Sequence, residues 1–268
     1  MNIELKKRIV IEGDGHPLLL VHGAGGPKPV EPLRKGLAKY YRVIAPTLLG
    51  YLPEDGRIHY SDKLFVEFIE TIRQFLQIKQ WMVAGVSTGG RIVLNYAVQY
   101  PLQVSRLIAI SAAGFNTIPP ARIAMLRPIF QRLFSWVLSN PKNLAMLGEG
   151  EIGDRHNPLV KESTAYMEQL LAHSVSRDNF CEMMLRVLVK KREWESQLPE
   201  LEMPVCILWG AQDRTCPIAG ARRLAALIQH SRLAILDGQG HMAMMEKPDY
   251  FVQQIVEFEH TTQKPSTD

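Results

Sequence analysis

The chain has 268 residues, 46% of them hydrophobic and 22% charged, and its 31 lysines and arginines outweigh 27 aspartates and glutamates for a net charge of +4. That composition excludes a disordered, collagenous or coiled-coil chain, and with no run of five like charges and no basic stripe interleaved with aromatics it offers nothing to a nucleic acid. No stretch approaches the roughly 18 apolar residues of a membrane span, and no apolar core follows the charges of residues 1–10.

Three cysteines, Cys181, Cys206 and Cys216, sit at neither CxxC nor zinc-like spacing. A cytoplasmic protein is therefore expected, with a small-molecule substrate and without metal, cofactor, membrane or nucleic-acid partners. Oligomeric state is not legible.

The N-terminal stretch, residues 3–12, alternates loosely and fits either one strand or a compressed hairpin. Short apolar runs then recur at residues 16–23, 42–46, 81–86, 107–111, 205–209 and 232–237. They lack a period of two, as expected of strands covered on both faces. Helical patterns separate them. Residues 61–76 place Leu64, Phe65, Phe68, Ile69, Ile72, Phe75 and Leu76 on one stripe, with Ser61 or Asp62 as N-cap. Residues 91–100, 219–228 and 248–259 supply further helices. Strand and helix alternating in this way predict an α/β fold with a mostly parallel sheet wrapped by helices.

Residues 114–202 break the rhythm. They contain no convincing strand, only helical stretches at 123–138, 159–175 and 178–191. The expected organisation is a core made of residues 1–113 and 203–268, with 114–202 inserted as a helical cap.

Chemistry concentrates in the loops after the strands. Gly85-Val86-Ser87-Thr88-Gly89 is a G-x-S-x-G pattern between a buried strand and a helix. A sharp turn there leaves room only for glycines around the serine and pushes its hydroxyl out at the carboxyl end of the sheet. Such a serine needs a base, and the base needs a carboxylate on its other nitrogen. His241 lies in the glycine-bracketed loop after the last strand, and Asp213 in the loop after the fifth; Asp237 is the alternative carboxylate. All three side chains would leave the sheet at its carboxyl edge, where open α/β sheets bind ligands.

The chain order Ser87, Asp213, His241 resembles that of the α/β-hydrolases. The resemblance spans nearly the whole chain outside the cap, and it implies a serine hydrolase working through an acyl-enzyme. His22-Gly23-Ala24-Gly25-Gly26 is similar to the family's H-G-x-x loop. The resemblance therefore implies an oxyanion hole made by the backbone N–H of Thr88 and that of Ala24 or Gly25. One departure stands out: where many relatives carry P-D-x-R-G, this chain has Pro46-Thr-Leu-Leu-Gly50, so a polar network in that loop is expected to be missing.

Substrate choice is expected to rest with the cap. Methionines and aromatics such as Met125, Met146, Met167, Met183, Met184, Phe130, Phe134 and Trp136 give it adaptable apolar surface, and Met242 follows the histidine. Met184, Met242 and Arg186 are the candidate substrate contacts. A small-to-medium, largely apolar carboxylic ester is the expected substrate. The chain also resembles carbon–carbon hydrolases of ring-fission diketones, which implies a cap arginine, Arg177 or Arg186, for a substrate carboxylate. A thioesterase, an acyltransferase and a small-molecule receptor on the same scaffold remain open alternatives.

Overall fold

The computed structural model describes residues 2–115, 157–189 and 193–262, with the side chains of residues 2–4 and 185–189 outside that set. The expected helix at 123–138, which carries Met125, Phe130, Phe134 and Trp136, lies outside the described residues, as does Met146.

Among the described residues one seven-stranded sheet forms: β1 (Ile9–Glu12), β2 (Pro17–Val21), β3 (Arg42–Pro46), β4 (Trp81–Val86), β5 (Val104–Ile110), β6 (Val205–Gly210) and β7 (Arg232–Leu236). Their order is β1-β3-β2-β4-β5-β6-β7. Only β1 runs antiparallel, pairing Ile9 with Pro46; every other neighbouring pair is parallel. The chain adds β3 on one side of β2 and then returns to lay β4 on the other. That reversal opens a crevice at the carboxyl ends of β2 and β4.

Unbroken apolar runs mark the strands because both faces are covered. Every residue of β4 and of β6 is buried. Alternate residues feed two cores. Leu19, Val21, Trp81 and Val83 pack under α3 (Asp62–Phe75) and α4 (Thr88–Gln99). Leu18, Leu20, Met82 and Ala84 face the opposite layer, which includes Leu33 and Leu37 of α2 (Glu31–Leu37). That layer is completed by the C-terminal helix Pro248–Thr262.

The N-terminal expectation is corrected in part. Asn2–Arg8 form helix α1 and only Ile9–Glu12 enter the sheet, as its edge strand. Val10 and Ile11 are both exposed there, as an edge strand allows, and the strand pairs with β3 instead of folding into a hairpin. The helix expected at 91–100 starts three residues earlier, at Thr88. Gly89 and Gly90 look like helix breakers but are required by packing: a Cβ at Gly89 would land on the carbonyl oxygens of Val21 and His22. In α3, Ser61 is the N-cap, accepting the Leu64 N–H at 3.0 Å.

The described part of residues 157–202 contains helices α5 (Pro158–Ala172) and α6 (Ser174–Val189) and the 3-10 segment Glu193–Glu200. Side chains seat α5 and α6 on loops leaving the carboxyl edge of the sheet. Glu162 meets Lys28 of the loop after β2 at 3.0 Å. Asn179, 1% exposed, accepts the Ile58 N–H at 2.9 Å and donates to the Gly56 carbonyl at 2.8 Å in the loop after β3. Ser163 donates to the Met245 sulfur at 3.5 Å, in the short helix Ala243–Glu246 after β7.

The loop after β3 is polar after all. Arg8 pairs with Asp55, both nearly inaccessible, and also donates to the carbonyls of Thr47 and Leu48 at 3.3 Å. Asp55 accepts the N–H groups of Gly50 at 2.7 Å and Leu52 at 2.9 Å. The missing motif pair is replaced by an arginine from α1 and an aspartate downstream, which no local pattern announces.

Candidate active site

Ser87 joins β4 directly to α4 with φ of 53° and ψ of −114°. A non-glycine residue adopts that left-handed backbone only under constraint. The constraint is visible: the Ser87 N–H donates to the Ile110 carbonyl at 2.9 Å, and its own carbonyl accepts from Ala113 at 2.9 Å and Arg91 at 3.2 Å. The serine, 8% exposed, is thereby held at the head of α4. Thr88 begins that helix, so its N–H has no acceptor within the helix and sits at the positive end of the dipole.

His241 and Asp213 come from the loops after β7 and β6, and His241 Nδ1 lies 2.9 Å from Asp213 Oδ2. Both are buried, at 8% and 4% exposure. Asp213 Oδ1 accepts the Cys216 N–H at 2.7 Å, and the Cys216 carbonyl accepts Trp209 Nε1–H at 2.6 Å. The carboxylate thus sits in a loop stapled to β6 by an indole, leaving His241 Nε2 as the imidazole nitrogen free for other work. The carboxylate that meets the histidine belongs to Asp213, not to the alternative Asp237.

The loop after β2 lies beside the serine. The Cα of Gly23 packs so closely that an added Cβ would stand 3.0 Å from Ser87 Cβ. His22 is fully buried and accepts the Leu48 N–H through Nε2 at 3.0 Å. A neutral imidazole with Nε2 accepting must carry its proton on Nδ1, which faces the Gly23 carbonyl at 2.7 Å. Burial lowers the His22 pKa to about 4, and the Gly23 carbonyl offsets only part of that. His22 is therefore a neutral framework residue and not a base. Tyr51, 4% exposed, donates its hydroxyl to the Ala24 carbonyl at 2.7 Å and sets its ring edge-on to His22, centroids 4.8 Å apart.

A family model described as the Alpha/beta hydrolase family matches residues 18–254. The chain belongs to that family. It is similar to the 2-hydroxymuconate semialdehyde hydrolase of Pseudomonas putida, with 26% identity over 92% of this chain and 88% of that one. Its fold resembles that of a meta-cleavage product hydrolase from Pseudomonas fluorescens, TM-score 0.75, 22% identical, covering 95% of this chain and 94% of the other. It also resembles a carboxylesterase from Bacillus subtilis, TM-score 0.72, 20% identical, covering 94% and 86%.

The sequence-predicted residues of this alpha/beta hydrolase are not all gathered together. Ser87, Asp213, His241, Thr88, Ala24 and Gly25 lie on loops and a helix start at one edge of the sheet. Met242 is half-buried and packs against the core on the side of α2 and the C-terminal helix. Met184 is half-buried on α6, and it is its neighbour Met183 whose sulfur stands 3.6 Å from the Tyr51 hydroxyl. The Arg186 side chain lies outside the described residues. Arg177 donates to the Leu171 carbonyl at 3.0 Å, at the end of α5. Tyr51, Trp209 and the Cys216 amide escaped sequence reasoning. The bond from Trp209 to Cys216 depends on a loop conformation that no local pattern announces.

Proposed function

We propose that the protein is a serine hydrolase cleaving a small-to-medium, largely apolar carboxylic ester. The observation that carries this reading is the strained Ser87 elbow set at the same sheet edge as the His241–Asp213 pair. In this reading His241 Nε2 takes the Ser87 proton as Oγ bonds to the ester carbonyl carbon. Thr88 N–H and that of Ala24 or Gly25 hold the oxyanion. Each such donor is worth roughly two to three orders of magnitude in rate. Collapse breaks the carbon–oxygen bond to the alcohol, which leaves with the proton from His241. Water, deprotonated by the same imidazole, then attacks the acyl-enzyme and frees the acid and Ser87. Asp213 keeps the Nδ1–H tautomer throughout. Residues 114–202 act as the cap that sizes the acyl pocket, in keeping with the seating of α5 and α6 on the carboxyl-edge loops.

A second reading, cleavage of a carbon–carbon bond in a ring-fission diketone, is favoured by the Pseudomonas putida relative, which aligns with 92% of this chain. The two separate in one experiment. Rates are measured on p-nitrophenyl esters from acetyl to decanoyl and on 2-hydroxymuconate semialdehyde, with the native chain and Ser87→Ala. Ester turnover peaking at one chain length and lost in Ser87→Ala supports the first reading. Bleaching of the yellow semialdehyde without ester turnover supports the second, and ester hydrolysis surviving in Ser87→Ala refutes the nucleophile.

A further inference from the structure

Between His22 and Pro27 the chain makes a four-residue turn, closed by the Gly26 N–H donating to the Gly23 carbonyl at 3.1 Å. Ala24 and Gly25 are its two central residues. Turns of this kind exist in two forms that differ by rotating the central peptide through about 180°, and the rotated form needs φ near +80° at the second central residue. Gly25 is not among the residues with positive φ, so the peptide is in the unrotated form. Nothing about glycine resists the other, because it has no Cβ to collide with the carbonyl.

Among the described residues, one hydrogen bond from outside the turn holds the peptide: the Tyr51 hydroxyl donates to the Ala24 carbonyl at 2.7 Å. A hydroxyl has one proton to give. The other group near it, the Met183 sulfur at 3.6 Å, is much the weaker acceptor, so the proton is committed to Ala24. Burial holds the Tyr51 pKa well above its ordinary value, so the hydroxyl keeps its proton at neutral pH. Rotation would exchange the directions of the Ala24 carbonyl and the Gly25 N–H. A carbonyl oxygen would then stand on the face of the turn away from Tyr51, in place of a donor. The neighbouring peptide is clamped separately, its Gly23 carbonyl lying 2.7 Å from His22 Nδ1.

We propose that Tyr51 is a positioning residue that holds the Ala24–Gly25 peptide of the oxyanion turn in its donor-presenting orientation, with Met183 of α6 packed behind its hydroxyl. The inference rests on the serine-hydrolase reading and names a residue that controls the same site without touching substrate.

The test needs no knowledge of the natural substrate. An alkyl fluorophosphonate reacts as Ser87 Oγ bonds to phosphorus and fluoride leaves, His241 taking the hydroxyl proton, and intact mass gives the rate of labelling. The phosphoryl oxygen develops charge as a carbonyl oxygen does, so the rate reports the oxyanion donors. Tyr51→Phe removes one net hydrogen bond, roughly a tenfold shift between the two forms, and because the unrotated form is the resting one this is expected to slow labelling about threefold. Gly25→Ala makes the rotated form costly, roughly tenfold, because an L side chain resists positive φ. Its Cβ would meet only Pro29 Cγ, at 3.2 Å. In the Gly25→Ala background the further loss caused by Tyr51→Phe is therefore expected to shrink to within about 1.5-fold, a rescue that lost packing cannot mimic. Unchanged labelling in Tyr51→Phe overturns the proposal, as does an equal loss in both backgrounds. A native chain left unlabelled, or label persisting in Ser87→Ala, refutes instead the serine reading beneath it.

Discussion

Replacing Asp213 by asparagine tests the charge-bearing half of the site with almost no change of shape. The carboxylate accepts twice, from Cys216 N–H at 2.7 Å and at His241 Nδ1, 2.9 Å away. An amide has one oxygen and one NH2 and can satisfy only one of these donors as an acceptor. If its oxygen takes the Cys216 N–H, the NH2 faces Nδ1, which must become an acceptor, and the ring proton moves to Nε2. A histidine so protonated cannot take a proton from serine. The opposite orientation sets two buried N–H donors against each other and costs about 1–3 kcal/mol. The first orientation therefore dominates, and the wrong tautomer with it. The expected loss in kcat is about ten-thousand-fold, the size seen when a triad aspartate is amidated in a serine protease. Stability should hold within about 1 kcal/mol, because each hydrogen bond is exchanged for another. Initial rates on the best p-nitrophenyl ester, alongside thermal melts, measure both. Asp213→Asn retaining more than about a tenth of native kcat would refute the role given to this carboxylate.

Trp209→Phe deletes the donor to the buried Cys216 carbonyl, 2.6 Å away. The cost is about 1–3 kcal/mol, which for a chain of this length lowers Tm by roughly 3–8 °C; a melt matching the native one would show that the indole does not staple the acid loop. His22 makes folding pH-dependent. Its folded pKa of about 4 lies below the ordinary imidazole value of 6.5, so the unfolded chain binds the proton first. Stability is full above the unfolded value and falls as pH drops from 6.5 toward 4, by about 3 kcal/mol in all. Urea titrations of native and His22→Gln chains isolate this contribution from that of the carboxylates, and parallel pH curves would exclude it.

How much of this was legible in the chain differs from element to element. The strands at 81–86 and 205–209 were plain because burial on both faces demands unbroken apolar runs, and β4 and β6 are buried at every position. Ser87 was plain because a sharp strand-to-helix turn can be built from few residue types. The helix α2 was hidden, since seven residues containing Pro32 and Gly36 carry too little periodicity to register. So was the start of α4, where glycines demanded by tertiary contact look like breakers.

By itself, the sequence determined the alternation of strands and helices, the family, and which three side chains stand after which strands. These follow from local patterns, because period, glycine placement and chain order are properties of neighbouring residues. The tertiary structure alone decided the partners: Arg8 with Asp55, Tyr51 with Ala24, Trp209 with Cys216. Each pair joins groups whose meeting depends on how strands stack and where loops fold back. A hydrogen bond depends on distance and direction in space, and those exist only once the sheet has brought the loops together.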